Sequence, residues 1–113
     1  MWGALPDSNL ITSSSAVPTI SFHGTNDKVV PYDIGFNENC SNYIMLFGSA
    51  CIHRRLVNFN VPVISNFVIG GGHEPSAYTP GFLMNNTACF FRRIMKGIPI
   101  ESKIYTTLVS SCE

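Results

Sequence analysis

Two short apolar runs, each breaking off into a glycine-rich loop, constrain this chain more than anything else in it. Residues 16–23 end in Ile20-Ser21-Phe22-His23 and pass into Gly24-Thr25-Asn26-Asp27-Lys28-Val29-Val30-Pro31-Tyr32. Residues 63–69, Val63-Ile64-Ser65-Asn66-Phe67-Val68-Ile69, pass into Gly70-Gly71-Gly72-His73-Glu74-Pro75. Runs this short and this continuously apolar suit strands covered on both faces, which is the condition of a parallel sheet. Pro18 stands near the start of the first run, where a missing N–H is tolerated, and Pro31 discourages a helix at Val30.

Parallel strands need a crossover, and the intervening residues supply one. From Gly48-Ser49 the pattern turns helical, with Ile52, Leu56 and Phe59 on one side, Ser49 as the expected N-cap, Arg54 and Arg55 outward, and Pro62 as the stop. Leu83 to Lys96 forms the second expected helix, capped by Asn85 or Asn86, with Phe90, Phe91, Ile94 and Met95 as its apolar stripe. Arg92, Arg93 and Lys96 suit the negative end of its dipole, and Gly97 and Pro99 end it. Residues 33–47 fit no single pattern: Asn37, Asn39 and Asn42 favour turns, while Tyr43 to Phe47 reads as a helical turn or a buried loop. The expected division is an entry loop over 1–15, in which Met1-Trp2 is the stub of an earlier strand, a strand-loop-helix-strand-loop-helix unit over 16–97, and a polar tail over 98–113 with one apolar patch at Ile104-Tyr105. This is an α/β fold, and physics objects to it standing alone. Two parallel strands with one helix per face leave two open edges and an unclosed core. The chain reads as a β-α-β-α portion of a larger parallel sheet, incomplete as given.

Composition narrows the function classes. The 113 residues are 45% hydrophobic and 12% charged, which is globular and not disordered. Seven basic residues balance seven acidic ones, so no excess charge calls for nucleic acid or an anionic membrane. The basic clusters His53-Arg54-Arg55 and Arg92-Arg93 read as polar sides of helices. No apolar run approaches the roughly 18 residues of a membrane span, and Met1 to Asp7 lacks the basic and apolar regions of a signal peptide. Four cysteines, Cys40, Cys51, Cys89 and Cys112, are too scattered for a C-x-x-C metal site; a disulfide involving Cys40, Cys51 or Cys112 is compatible with the count. Asn39-Cys40-Ser41 and Asn85-Asn86-Thr87 match the N-glycosylation pattern, and the compartment stays open.

Chemistry concentrates in the two loops, 46 positions apart. Asp27 has two readings: a structural Asx-turn or cap, or the acid that orients a catalytic imidazole. His73 follows three glycines that let the backbone turn sharply and bring the ring to a neighbouring loop. If the two strands are neighbours, both loops leave the same C-terminal edge, where open α/β sheets place their sites. His23 reads as structural, buried at the strand end, and Glu74 as either a second acid or, beside Pro75, a hydrogen-bonding partner of loop backbone. A zinc site built from His23, Asp27, His73 and a cysteine lacks ligand spacing. The three glycines lack the G-x-G-x-x-G or Gly-Lys-Ser/Thr context of phosphate binding. No cofactor is implied.

Taken together, Pro18-Thr19-Ile20-Ser21-Phe22-His23-Gly24-Thr25-Asn26-Asp27-Lys28-Val29-Val30-Pro31-Tyr32, the Gly48-Ser49-Ala50 helix start and Gly70-Gly71-Gly72-His73-Glu74-Pro75 resemble the C-terminal part of α/β-hydrolase esterases and lipases of the carboxylesterase/dienelactone-hydrolase type. The resemblance covers roughly residues 16–97, about a third to a half of a hydrolase domain. It implies a serine-type carboxylic ester hydrolase, with Asp27 as triad acid and His73 as general base, in the chain order Ser…Asp…His. The chain departs from the family in lacking any G-x-S-x-G. The nucleophile and the oxyanion amides would then lie in an upstream segment that also completes the sheet, and the 113 residues alone would be inactive. Two further expectations stand beside this: a non-catalytic, hydrolase-derived interaction module, or one half of a split enzyme. The implied partner is a small-molecule ester.

Overall fold

The structure, a computed structural model, describes residues 3–110; the expectations for Met1-Trp2 and Cys112 lie outside them. Its centre is a three-stranded, all-parallel sheet made of β1 (Thr19–Gly24), β4 (Val63–Val68) and β5 (Lys103–Tyr105), in that order. Strand β1 (Thr19–Gly24) pairs in register with β4 (Val63–Val68), from Thr19 opposite Val63 to Gly24 opposite Val68. Helix α1 (Ser49–Asn58) lies between them in sequence, and α2 (Pro80–Met95) follows β4. The mixed α/β class and the parallel pairing agree with the sequence reading.

The near-continuous apolar runs are explained by burial on both faces. Ile20, Phe22 and Ile64 pack with Tyr78 and Phe90, and Phe82, Leu83 and Ile94 of α2 lie against them. On the other face Val63 packs with Ile52 and Leu56 of α1, together with Leu5, Ile11, Ala16 and Val61. Alternation along each strand sends odd and even residues to opposite faces, so each helix covers one side. Beneath α1 the sheet also carries a polar layer. Ser21 Oγ donates to Ser65 Oγ at 3.0 Å, and Ser65 Oγ lies 2.8 Å from His53 Nδ1. Burial, with Arg54 beside it, holds His53 below its ordinary value, so the ring is neutral and accepts the Ser65 proton. His53 thus points inward, and the expected polar cluster of His53, Arg54 and Arg55 splits. Arg54 is exposed and pairs with Asp33, while Arg55 Nε donates to Ile11 O at 2.9 Å and its guanidinium covers Phe59.

Several expected boundaries move, each for a local reason. Helix α1 is capped by Gly48; Ser49 is its first residue, and its hydroxyl is engaged elsewhere. The helix ends before Pro62, because Asn60 takes the left-handed conformation and the N–H groups of Asn60 and Val61 bond back to Val57 O and Leu56 O. Helix α2 starts ahead of Leu83: Thr79 is its N-cap, accepting from Phe82 N–H, and Pro80 opens the first turn. Asn86 is therefore mid-helix and buried, donating to Phe82 O at 2.9 Å. Gly97 ends α2 with φ of 65°, and Ile98 N–H reaches Arg93 O. Of the expected α2 stripe only Phe90 and Ile94 face the core; Phe91 and Met95 are exposed.

Strands also form in the segment without a single pattern and in the segment expected to be a tail. Residues 33–47 contain an antiparallel pair, β2 (Ile34–Phe36) and β3 (Met45–Phe47), with Ile34 opposite Phe47. The expected polar tail contains β5 (Lys103–Tyr105), parallel to β4, and its apolar patch is where the sheet gains a third strand. Three-residue strands leave too few positions for a period of two to appear.

Candidate active site

Strands β1 and β4 end side by side, and the loops that leave them are pressed together by backbone. A Cβ on Gly24 would fall 2.2 Å from both Gly71 O and Gly72 O, so only glycine permits this approach. Asn26 N–H donates to Gly71 O at 2.9 Å, and Gly70 N–H to Thr25 Oγ1 at 2.8 Å. Gly70 makes the turn with φ of 73°. His73 is thereby delivered to Asp27.

His73 Nδ1 lies 2.9 Å from Asp27 Oδ2. A carboxylate oxygen accepts, so the imidazole proton sits on Nδ1 and the lone pair on Nε2. The Asp27 side chain is fully buried, and that of His73 is 38% exposed. The ring lines a cleft of about 510 Å³ with Glu74, Pro75, Ser76 and Tyr78. Among the described residues, none hydrogen-bonds to Nε2.

Asp27 is held from the other side as well. Its Oδ1 accepts from Val29 N–H at 2.8 Å and Val30 N–H at 2.9 Å. The two sequence readings therefore divide between the two oxygens: Oδ1 closes an Asx-type turn, and Oδ2 faces the histidine. Burial pushes the Asp27 carboxyl up. The bond from His73, the N–H groups of Val30 and Val29 and the nearby imidazole charge outweigh it, and the net shift is downward. Asp27 is a carboxylate at neutral pH.

His23 is buried, as expected, yet it is not remote from the site. Its Nε2 stands 3.1 Å from Asp27 Oδ2 and 3.1 Å from Val30 O, both acceptors, so Nε2 carries the proton. Nδ1 then accepts from Ser49 Oγ at 2.7 Å. The sequence showed His23 four residues before Asp27, but Ser49 arrives only through tertiary packing. Ser76 lines the cleft without a hydrogen bond to His73.

The other expected groups fall away from this cluster. Cys51 donates to Asp33 Oδ1 at 2.9 Å beside Arg54; burial and Asp33 push its thiol up to about 11. Cys40 and Cys51 are free thiols, and Cys89 is disulfide-bonded. Among the described residues no three His, Cys, Asp or Glu side chains are arranged so that they could hold a metal ion, and no helix is long and apolar enough to cross a membrane.

Set against protein-family models, curated proteins and solved structures, the chain matches none.

Proposed function

We propose that this chain supplies the acid and the base of a serine-type carboxylic ester hydrolase built on an α/β-hydrolase sheet. The observation that carries the reading is the 2.9 Å contact from His73 Nδ1 to a buried, ionised Asp27, which turns the basic Nε2 toward an open cleft. A general base needs that tautomer and that exposure. In the proposed reaction Nε2 takes the proton of a serine hydroxyl as its oxygen attacks the ester carbonyl. The collapsing tetrahedral intermediate receives the proton on the leaving alcohol, and water repeats the cycle to release the acid. Asp27 stabilises the imidazolium formed in between without itself being protonated.

On this reading the serine and the oxyanion amides are supplied by a segment outside the 113 residues, and β1, an edge strand of the three-stranded sheet, is where that segment would add. Ser21, Ser49 and Ser65 are buried and hydrogen-bonded away from the cleft, which speaks against a nucleophile from the sheet or from α1.

The test is to produce the 113 residues with the polypeptide encoded immediately upstream, and to assay short-chain aryl esters and labelling by a fluorophosphonate. Hydrolysis and a labelled serine are expected from the joined protein, with neither from the 113 residues alone. Asp27→Asn should lower kcat by about 10⁴-fold and His73→Ala by about 10⁶-fold. An upstream product with no reactive serine, or a His73→Ala protein of unchanged kcat, overturns the proposal.

A further inference from the structure

We propose that His23 is a positioning residue of this site: its Nε2–H shares Asp27 Oδ2 with His73 Nδ1–H, and through that shared oxygen it fixes the tautomer and aim of His73. The inference rests on reading Asp27 and His73 as acid and base, and it is tested on the chain itself.

The three groups are anchored differently. Asp27 and His73 both stand on loops, the segments of a fold with the most freedom. His23 stands in β1, opposite Phe67 of β4, with no solvent exposure and with the edge of Tyr32 against its ring. It is the one imidazole at this site built on a rigid element. Every polar atom of the ring is engaged, since Nε2 meets Asp27 Oδ2 and Val30 O and Nδ1 meets Ser49 Oγ. The Ser49 hydroxyl removes the choice of tautomer: by donating to Nδ1 it leaves the proton on Nε2, where Asp27 needs a donor.

The consequence for Asp27 is a carboxylate with four N–H donors, two backbone groups on Oδ1 and two imidazoles on Oδ2. Rotation about its terminal torsion would break bonds on both oxygens at once. Without His23, Oδ2 keeps His73 as its one partner among the described residues, and the pair can drift together. A second serine triad running Ser49–His23–Asp27 is excluded by access, because Ser49 is 1% exposed.

Two substitutions separate positioning from plain core packing. His23→Gln places an amide N–H near the position of Nε2 and keeps a donor to Asp27. His23→Asn places its amide near Nδ1, keeps the Ser49 contact and loses the donor. The measurement is the ¹⁵N chemical shift of each ring nitrogen at pH 8, with amide spectra to establish folding. In the unsubstituted chain, protonated-type shifts are expected at His73 Nδ1 and His23 Nε2, with lone-pair-type shifts at their other nitrogens. His23→Asn should shift His73 toward the Nε2–H form that free imidazole prefers, and His23→Gln should restore the Nδ1–H form.

A His73 tautomer unchanged in a folded His23→Asn protein overturns the proposal. If that protein does not fold, the unsubstituted chain decides alone, since a His23 proton on Nδ1 removes the donor to Asp27 and the proposal with it. A failed esterase assay with an intact tautomer pattern would overturn the proposed function and leave the His23 relation standing.

Discussion

At Asp27 the two oxygens of one carboxylate make different contacts, and the sequence offers the two as alternatives where the structure holds both. The turn made by Oδ1 follows from local chain, since Val29 and Val30 are two and three residues away. The pairing of Oδ2 with His73 was legible because two strands of similar character each deliver one loop residue to the same sheet edge. The positioning role proposed for His23 has no signal in the sequence because it depends on Ser49, 26 positions on, which packs against it only once α1 lies on the sheet. Cys51 shows the same dependence on neighbours. With its thiol pushed up to about 11 and buried beside Asp33, it is almost wholly protonated at pH 8. Iodoacetamide at that pH should alkylate Cys40 well before Cys51 in the native protein, and mass spectrometry of the digest reads the order. Equal rates would contradict the placement of Cys51.

At the scale of elements, the strongest sequence signals were the long periodic ones. Helix α1 buries Ile52 and Leu56 as its spacing requires, and β1 and β4 pair as parallel strands. What failed was the assignment of faces within α2. Phe90, Phe91, Ile94 and Met95 form pairs of adjacent residues, and adjacent residues on a helix point about 100° apart, so one of each pair must turn away from the sheet. The structure turns Phe90 inward, at 1% exposure, and leaves Met95 at 80%. Phe90→Ala should therefore cost about 3–5 kcal/mol of unfolding free energy. Met95→Ala should stay within about 0.5 kcal/mol. Urea denaturation of the two proteins checks the contrast, and a comparable loss in both would mean that the assigned face is wrong. The short strands β3 and β5 were unreadable for a different reason: partners, and not periodicity, make three residues into a strand.

For the whole molecule, proton binding sets the range of pH over which the fold is firmest. His53 is held below its ordinary 6.5, so its contribution is complete above that value and is lost as pH falls through its folded value. The lowered carboxyls of Asp27 and Asp33 add a second loss in stronger acid, below their ordinary 3.8. On the alkaline side Cys51 is raised from 9.0 to about 11 and Tyr78 from 10.0 to about 12. These groups stabilise the fold below their ordinary values, and that contribution fades as pH climbs through the raised ones. Urea midpoints should hence form a plateau between roughly pH 6.5 and 9 and fall on both sides. His53→Gln should flatten the first acid step, and an unchanged step would assign it to another group. The even ladder of β1 on β4 carries one more implication. Asp27 lies three residues past the end of one strand and His73 five past the end of the other. A slip of one rung would carry one loop about 3.3 Å along the other and turn its side chains to the opposite face. The dyad is a vernier for strand alignment, closing only when both scales coincide. The contact between Asp27 and His73 is thereby withheld from every misaligned form of the chain.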